Sequence, residues 1–461
     1  MKNIITYILI AIIFCACTKQ DEWLSEKSQK NIVVPKTLVD YQAILDNQAW
    51  IHNIFSNDCL VSADDFYLND TGFNSEDENT RNFYSWNDNI WVNGRSHVWN
   101  DFFSIIFKSN AVIDGLNDKD KNLIANIDHY NNVLGQAYFY RAIIYYNLAQ
   151  IFCKTYDSRQ ASSTLGLPLR KSSDVNIIYQ RSNLKDTYQF ILEDIERAIN
   201  LLPTQGKHNR RPSKVVAFGL LAKIYLVMEN YDNAFKYAHE SLKANSTLLD
   251  FNSSYIDMNS TYRFQSDGYN HPEILFFAKS QRKSMVLPYN RTNGFVANEL
   301  YAQYDINDLR RSAFFIASGN NYKYRGSYTG SLASFCGIAN NEIYIILAES
   351  AARIGEEFIA LDALNRLLTN RYTTNTFIPY SECKGEDLLK LILQERRKEL
   401  VGVGNLRWED IKRLNKDSRF QVILIRMINS KEHVLLPTDN RYVFPIPEEE
   451  IQSSGLQQTP R

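Results

Sequence analysis

The clearest pattern along the chain is a regular spacing of apolar positions within residues 131–156. In NNVLGQAYFYRAIIYYNLAQIFCKTY, side chains such as Leu134, Tyr138, Ala142 and Tyr145 recur three or four residues apart. This period places them on one face of an α-helix. The same kind of period recurs elsewhere along the chain. We therefore predict further helices at about 37–50, from about Val98 onward, and at 184–203, 215–245, 342–367 and 386–416.

Local signals mark where some of these helices begin and end. Thr37, followed three residues later by Asp40, is typical of a capping box at a helix N-terminus. Pro203 is expected to stop a helix, because proline lacks an amide hydrogen and clashes with the preceding turn. Short turns then divide the longest segments into pairs of helices.

Two of the helical segments carry small residues at the same offsets. Leu221-Ala222, Tyr225 and Ala234 in the first correspond to Leu347-Ala348, Ala351 and Ala360 in the second. Both segments resemble tetratricopeptide helix pairs, in which small residues lie where two helices cross. The alternative is a coincidence between two amphipathic hairpins.

Other stretches lack a period. Residues 53–98 are rich in Asn, Asp, Ser and aromatics and predict surface loop, and GNNYKYRGSYTGS at 319–331 predicts an exposed loop. ILFFAK and MVLPYNR are candidate short strands. Trp99 and Trp408 are assigned to the core.

Three charged stretches are not assigned to catalysis. Asp64-Asp65 and Glu448–Glu450 are expected to face solvent. Glu395-Arg396-Arg397-Lys398-Glu399 predicts a charged helix face with internal ion pairs. Its alternative is a buried ion-pair network with Arg407 and Asp410.

The N-terminal residues have the layout of a secretory signal peptide. Lys2 precedes an apolar run from Ile4 to Phe14, which is too short to span a bilayer. Phe14-Cys15-Ala16-Cys17 resembles the lipobox of bacterial lipoproteins, and Lys19–Glu22 looks like an acidic signal for the outer leaflet of the outer membrane. We expect a signal peptide at 1–16, a lipid on Cys17, a tether at 17–30 and a single domain at 31–461. An ordinary cleaved signal is the alternative.

Composition narrows the classes of function. The 461 residues carry 51 Lys plus Arg against 52 Asp plus Glu, a net charge of −1, so no basic field is available for nucleic acid. Aromatic residues make up 13% of the chain. Most are expected to pack helix pairs, and some to form stacking platforms for a ligand. Cys59, Cys153, Cys336 and Cys383 lack the close spacing of a zinc site, and their disulfide pairing stays open.

The sequence does not match the common motifs for catalysis or metal binding. Asp118, Asp120 and Asn122 imitate the start of an EF-hand loop, but Leu123 and His129 replace the required Gly and Glu. The chain has no HExxH pair, nucleophile elbow or phosphate-binding loop. We therefore expect a protein that is not an enzyme, with no catalytic residue, metal or cofactor.

Several segments together resemble the SusD/RagB family of outer-membrane nutrient-uptake lipoproteins. They occur in the family's order and cover most of the chain: GQAYFYRAIIYYNLAQIF with GLPLR, YQFILEDIERAINLLP with RRPSKVVAFGLLAKIYL, ANELYAQYDINDLRRSAFF, IYIILAESAARIG, LILQERRKELVGVGNLRWEDIKRL and FPIPEEEIQSSGLQQTP. The resemblance implies a mostly α SusD-like domain, in which tetratricopeptide-like helix pairs form a buttress and a loop-rich face carries the ligand.

The same resemblance implies a binding function without turnover. Members cap a SusC-like TonB-dependent β-barrel transporter and pass it captured glycan, or peptide in some branches. The leading hypothesis is therefore an outer-membrane, surface-facing lipoprotein that binds oligosaccharide. The alternatives are capture of peptide or another nutrient, and a helical-repeat scaffold that binds only protein partners.

Candidate ligand residues come from two aromatic stretches. Aromatic faces can stack on sugar rings while amides and guanidinium groups bind hydroxyls. By analogy with the region that carries ligands in the family, the early stretch RNFYSWNDNIWVN and a later loop supply Arg81, Tyr84, Trp86, Asn87, Trp91 and Asn93, with Tyr322 and Tyr324 as secondary candidates. The alternative for each tryptophan is packing that anchors the loop.

Overall fold

The structure is a computed structural model that describes residues 35–47, 52–53, 55–118, 125–265, 268, 270–283 and 294–461. The chain forms two compact units, residues 1–41 and 42–461, and only residues 35–41 of the first are described. The predicted signal peptide, Cys17, the tether and the MVLPYNR strand lie outside the described residues, and the domain boundary at residue 31 stays a prediction. No described helix is both long and apolar enough to cross a membrane.

The described chain is mostly α-helical. Its α-helices are α1 (Leu38–Asp46), α2 (Asp58–Ser62), α3 (Asp70–Ser75), α4 (Glu78–Tyr84), α5 (His97–Asn117), α6 (Ile127–Phe152), α7 (Leu184–Leu201), α8 (Lys214–Val227), α9 (Tyr231–Ala244), α10 (Asn298–Tyr301), α11 (Arg310–Phe314), α12 (Asn340–Arg353), α13 (Glu357–Thr369), α14 (Gly385–Glu399), α15 (Leu406–Leu414) and α16 (Glu448–Ser454).

Short strands form antiparallel pairs between the helices. The pairs are β1 (Phe66–Leu68) with β6 (Gly294–Val296), β2 (Leu165–Pro168) with β3 (Arg181–Asn183), β4 (Ile274–Phe276) with β10 (Ile338–Ala339), β5 (Lys279–Lys283) with β9 (Ala333–Phe335), β7 (Phe315–Ser318) with β8 (Asn321–Tyr324), and β11 (Leu424–Ile428) with β12 (Lys431–Leu435). The predicted strand in ILFFAK is confirmed as β4.

The predicted capping box at α1 is confirmed. The Asp40 amide donates to Thr37 Oγ1 at 3.2 Å, and the Thr37 amide donates to Asp40 Oδ2 at 2.9 Å. Two amides that the helix itself leaves without partners are thereby satisfied. The helix ends at Asp46, earlier than the predicted residue 50.

Helix α6 forms the centre of the core. Nearly all its side chains are buried, and α5 and α7 pack against it. Arg141 donates from Nε and Nη2 to Asp194 at 2.7 and 2.8 Å, and from Nη1 to Asn110 Oδ1 at 2.6 Å. A buried charge is tolerated when it is paired in this way, and the pair fixes how the three helices meet. The predicted helix at 131–156 is confirmed, displaced by about one turn towards the N-terminus.

The two predicted helix pairs are confirmed as α8 with α9 and α12 with α13. Ala222 and Ala234 of the first pair, and Ala348 and Ala360 of the second, are fully buried. Small side chains at these positions let the helix axes approach closely. Helix α9 packs against α12, so the two pairs stack on one another.

The prediction of surface loop for residues 53–98 is wrong. This stretch holds α2, α3, α4 and β1, and its apolar side chains Phe55, Leu60, Phe66 and Phe83 are buried. The elements are too short to show a period in the sequence. Their burial comes from distant parts of the chain, such as β6, which pairs with β1.

The charged stretch on α14 is buried, so the alternative of an ion-pair network is confirmed. Arg396 donates to Asp410 at 2.8 and 2.9 Å, and Arg407 binds Asp64 at 2.6 Å. Burial alone would raise the pKa of Asp410, but Arg396 and Arg413 lower it to about 2. Asp64 and Asp65 therefore do not face solvent as predicted.

The same network fixes the start of the β7–β8 hairpin. Arg310, the first residue of α11, is fully buried and binds Glu395 at 2.6 Å and Glu399 at 3.0 Å. Helix α11 leads directly into β7. The hairpin is thus held from its base by a buried guanidinium whose removal would leave its buried carboxylate partners without a counter-charge.

The β7–β8 hairpin also corrects the prediction of an exposed loop at 319–331. Ala317 faces Tyr322 across the strands, and Ser318 faces Asn321. Gly319 adopts a φ of 60° in the connecting turn, a conformation that glycine reaches without steric cost. The turn residues 319–320 are exposed and residues 321–322 are half-buried, whereas residues 323–324 and 326–330 are buried.

Candidate functional site

The three aromatic candidates of the early stretch are buried. Tyr84, Trp86 and Trp91 are 2%, 3% and 4% exposed. Trp86 Nε1 donates to the carbonyl of Ser62 at 2.9 Å, and Trp91 Nε1 donates to that of Pro445 at 2.7 Å. Their polar atoms are therefore satisfied within the protein, and their ring faces are not available to a ligand in this conformation.

A cation from β11 packs against two of these rings. The guanidinium carbon of Arg426 lies 3.8 Å from the ring centroid of Tyr84 and 4.5 Å from that of Trp86. Arg426 also donates to the carbonyls of Val61, Ala63 and Tyr84. Trp86 has a φ of 52°, which is strained for a bulky side chain. The packing around its indole offsets that strain.

The polar candidates of the early stretch lie at the surface. Asn87 and Asn93 are exposed, and Arg81 is half-buried with its Nη1 donating to the carbonyl of Glu76 at 2.7 Å. Asn93 borders a surface cavity of about 740 Å³, whose wall includes Trp91 and Arg461. This cavity offers amide and guanidinium groups but no open aromatic face from the two tryptophans.

The two later candidates lie on β8 but differ in exposure. Tyr324 is buried against Phe315 and Phe66, whereas Tyr322, two residues earlier on the same side of the strand, is half-buried at the surface. The structure therefore separates them into a core residue and a surface residue.

Tyr322 stacks on Tyr301, which is not among the residues predicted to bind a ligand. The ring centroids of Tyr322 and Tyr301 are 3.4 Å apart, and the ring planes are inclined by 14°. Arg311 donates from Nε to the Tyr301 hydroxyl at 2.9 Å, and its guanidinium carbon lies 4.9 Å from the Tyr301 ring centroid. Tyr301, Arg311 and Tyr322 are called the tyrosine platform below.

The platform is assembled by tertiary structure. Tyr301 ends α10, Arg311 belongs to α11 and Tyr322 to β8, so three elements each supply one side chain. Tyr301 also packs edge-on against Phe315, with ring centroids 5.7 Å apart. No local period joins residues 301 and 322. The one feature of the sequence that links two of these residues is that Tyr301 and Arg311 both belong to the ANELYAQYDINDLRRSAFF segment.

The opposite side of β8 adds polar groups near the platform. The Tyr67 hydroxyl donates to Asn321 Oδ1 at 2.9 Å, and the Tyr67 ring lies 5.6 Å from that of Phe295. Glu299 is exposed on the short helix that carries Tyr301. The tip of the hairpin therefore combines aromatic surface with amide, hydroxyl, cationic and anionic groups.

Tyr322 of the platform is neutral near pH 7. Hydrogen bonding to Tyr301 raises the pKa of Tyr322 above its ordinary value of about 10. The hydrogen bond to Tyr301 likewise raises the pKa of Arg311, which stays cationic. The platform thus presents two phenol side chains beside one positive charge, a set that can donate hydrogen bonds and offer a flat apolar face.

Metal and disulfide chemistry are not evident in the part of the chain that the structure describes. No group of three or more His, Cys, Asp or Glu side chains there is arranged to hold a metal ion. Cys59, Cys153, Cys336 and Cys383 are unpaired.

Comparison with known proteins identifies relatives along most of the chain. Residues 22–226 match a SusD-like family described as starch-binding and associating with the outer membrane, and residues 288–461 match the SusD family, SusD_RagB. SusD-like protein P2 of Formosa agariphila is 23% identical over 481 aligned residues, covering 90% of each chain. A SusD-like protein of Bacteroides ovatus is 24% identical over 141 residues, which are 30% of this chain and 23% of that protein.

Solved structures share the fold. A putative sugar binding protein from Bacteroides vulgatus superposes with a TM-score of 0.73 at 21% identity, covering 93% of this chain and 99% of that one. A SusD superfamily protein from Bacteroides thetaiotaomicron gives 0.73 at 22% identity, with 92% and 100% covered. Surface glycan-binding protein A from Bacteroides fluxus gives 0.68 at 17% identity, with 92% and 100% covered. The predicted mostly α fold is confirmed, and the chain belongs to the SusD/RagB family.

Proposed function

We propose that this protein is a surface-exposed outer-membrane lipoprotein that binds oligosaccharide and delivers it to a SusC-like TonB-dependent transporter. Support comes from the family, which is described as starch-binding and associated with the outer membrane. Two proteins of the same fold are described as sugar-binding and glycan-binding. The protein acts by binding, without turnover.

The tyrosine platform is the observation that carries the proposal. A half-exposed pair of stacked tyrosines is a flat apolar surface, and the apolar face of a sugar ring packs against such a surface. Arg311 and the phenol hydroxyls lie at its edge and bind sugar hydroxyls. Its base is fixed by the buried Arg310, so the platform is preorganised for a ligand.

The other selected residues take separate roles in this proposal. Tyr322 contacts the ligand directly, and Tyr301 supports its ring. Arg81, Asn87 and Asn93 lie at the surface and are available to a longer glycan. Tyr84, Trp86, Trp91 and Tyr324 are buried and hold the surrounding elements in place.

The chain supplies a matched control for the platform. Tyr225 and Tyr237 on α8 and α9 are also stacked and half-buried, with ring centroids 5.6 Å apart and an interplanar angle of 6°. Tyr237→Ala therefore removes a stacked surface tyrosine of the same kind at a different place.

Calorimetry of the purified mature lipoprotein in detergent, against a panel of polysaccharides and peptides, tests the proposal. We expect saturable binding of at least one glycan, weakened about tenfold or more by Tyr322→Ala and unchanged by Tyr237→Ala. Binding of peptides alone would instead support the peptide alternative. Failure of any β-barrel protein to co-purify from membranes would remove the delivery role.

A further inference from the structure

A third aromatic ring lies beside the tyrosine platform without belonging to it. Tyr67, in the middle of β1, is half-buried at the surface, and its hydroxyl donates to Asn321 Oδ1 at 2.9 Å. Asn321 directly precedes Tyr322 in β8. A contact between residues 254 positions apart in the chain therefore brings this ring next to the hairpin that carries the platform.

Tyr67 is supported from one side, as Tyr322 is. Phe295 faces Tyr67 across the β1–β6 pair, and the two ring centroids are 5.6 Å apart with planes inclined by 39°. Phe295 itself is only 8% exposed, and Lys323 Nζ lies 5.7 Å from its ring centroid. The supporting ring is therefore part of the core, whereas Tyr67 keeps part of its surface accessible.

Two polar groups near Tyr67 are left without a counterpart in the part of the chain that the structure describes. The Tyr67 hydroxyl occupies the oxygen of the Asn321 amide, and the NH₂ group of that amide has no contact there. Glu299, on α10, is exposed, and its carboxylate has neither a hydrogen bond nor an ion pair with a described residue. One donor and one acceptor are thus available beside the same ring.

The electrostatics of Tyr67 show that Glu299 is its neighbour. Burial raises the pKa of the Tyr67 phenol above its ordinary value of about 10, and nearby Tyr84 and Glu299 raise it further. The phenol is therefore protonated near pH 7 and keeps its hydrogen bond to Asn321. The position of the Asn321 amide is fixed by that bond.

The platform supplies a flat face, but its polar groups are partly engaged with one another. Arg311 donates to the Tyr301 hydroxyl at 2.9 Å, and the Tyr301 and Tyr322 phenols are hydrogen-bonded to each other. A sugar bound at a protein surface has hydroxyl groups that need donors and acceptors as they leave water. Because a hydroxyl both donates and accepts, an amide NH₂ group beside a carboxylate suits adjacent sugar hydroxyls.

The alternation of side chains in β8 places the two aromatic surfaces on either side of one strand. Successive side chains of a strand point to opposite faces, so Tyr322 meets Tyr301 on one face and Asn321 meets Tyr67 on the other. The connecting turn at 319–320 is exposed. A chain that crosses the end of the hairpin there can contact both surfaces, which a single sugar ring cannot do.

We propose that Tyr67, Asn321 and Glu299 form a second sugar subsite, so that the protein binds an oligosaccharide chain that crosses the end of the β7–β8 hairpin. This inference rests on the proposed function and names the form of the ligand, a chain of several units. One unit stacks on Tyr322. Another stacks on Tyr67, accepts a hydrogen bond from Asn321 and donates one to Glu299.

The dependence of affinity on chain length tests the second subsite. Malto-, cello-, xylo- and manno-oligosaccharides of one to six units are titrated into the mature lipoprotein in detergent and followed by calorimetry. In a series that binds, we expect affinity to rise about tenfold or more once the chain is long enough to fill both subsites. Equal affinity at every length, or binding of none of the four series, overturns the proposal. The proposed function is decided separately, by the panel of polysaccharides.

Variants at the second subsite identify its residues. Tyr67→Ala and Asn321→Ala should each weaken the six-unit ligand about tenfold and remove most of the gain with length. Glu299→Gln keeps the size of the side chain and should weaken the same ligand about threefold, because a neutral acceptor forms weaker hydrogen bonds than a carboxylate. If these three variants keep wild-type affinity while Tyr322→Ala weakens binding, the second subsite is wrong and the proposed function survives.

The controls separate binding from folding. Tyr67→Phe keeps the ring that packs on Phe295, removes the hydroxyl that positions Asn321, and should weaken the six-unit ligand by less than Tyr67→Ala does. Asn200→Ala, at an exposed asparagine of α7, is the matched control for Asn321→Ala and should leave affinity unchanged. If Tyr67→Ala does not fold, Asn321→Ala and Glu299→Gln decide, and unchanged six-unit affinity in both overturns the proposal.

Discussion

Two stretches of the chain look alike in sequence and differ in the structure. Residues 81–93 and 319–331 both mix aromatic and polar residues without a helical or strand period. In the first, Tyr84, Trp86 and Trp91 are buried, whereas in the second Tyr322 keeps part of its ring at the surface. Local aromatic content therefore does not decide whether a ring can meet a ligand.

The difference comes from segments remote in the sequence. Arg426 of β11 covers Tyr84 and Trp86, and Phe444 packs against Trp91 at a centroid distance of 6.0 Å. At the hairpin, the remote partner is Tyr301, which supports the ring of Tyr322 rather than enclosing it. An aromatic ring whose partners cover it becomes part of the core, whereas a ring that its partner only supports keeps a surface on which a ligand can stack.

The largest effect is expected from removing a covered ring. Trp91→Ala should lower the free energy of unfolding by about 3–5 kcal/mol, because it leaves a cavity among aromatic rings and an unpartnered Pro445 carbonyl. Chemical denaturation followed by circular dichroism measures this. Trp91→Phe, which keeps most of the volume, is the matched control and should lose less. If the Trp91→Ala protein folds with wild-type stability but no longer binds glycan, Trp91 is a ligand-binding residue and not a core residue.

Removing the Arg426 side chain should lower the free energy of unfolding nearly as much as removing the Trp91 ring. Arg426→Met should cost about 3 kcal/mol of unfolding free energy, since it removes the donors to three buried carbonyls and the contact with two rings. Arg419→Met, at an exposed arginine on the surface, is the control and should have little effect. Equal melting temperatures for the two variants would show that Arg426 is not what covers the early stretch.

Much of the fold could be predicted because long helices leave a period in the sequence. Helix α6 and the pairs α8–α9 and α12–α13 were predicted from that period and the turns between them. The helices at 58–84 were missed because each has only one or two turns. The sequence does not decide between an exposed and a buried Glu395–Glu399 stretch, since the partners Arg310 and Arg371 lie far away in the chain.

The candidate site could be predicted only in part. Tyr322 was selected from a Gly/Tyr/Ser stretch, but Tyr301 and Arg311 were not, because their meeting depends on the fold of α10, α11 and β8. Trp86 and Trp91 were selected for their aromatic character, and what covers them is encoded more than 300 residues later, at 426 and 444. Contacts of this range leave no pattern in a single sequence.

Removing a supported ring should affect binding rather than stability. Tyr301→Ala and Tyr322→Ala should each weaken glycan affinity about tenfold, and the double variant should lose less than the product of the two effects. The reason is that Tyr301 acts by holding the ring of Tyr322, so its loss matters little once that ring is gone. Calorimetry on the wild-type protein, the two single variants and the double variant gives the coupling free energy between Tyr301 and Tyr322. Fully additive losses would mean that the two rings contact the ligand independently.

The smallest effect is expected from the charge at the platform edge. Arg311→Met keeps an apolar side chain near the Tyr301 ring but removes the donor to its hydroxyl and the positive charge. Because Arg311 is solvent-accessible, we expect glycan affinity to fall only about threefold. Arg311→Lys keeps the charge without the flat guanidinium and separates the two contributions. If Arg311→Met weakens glycan affinity as much as Tyr322→Ala does, the ligand is held by charge rather than by stacking. The hairpin would then differ from residues 81–93 in its accessible charge, and not in its accessible ring.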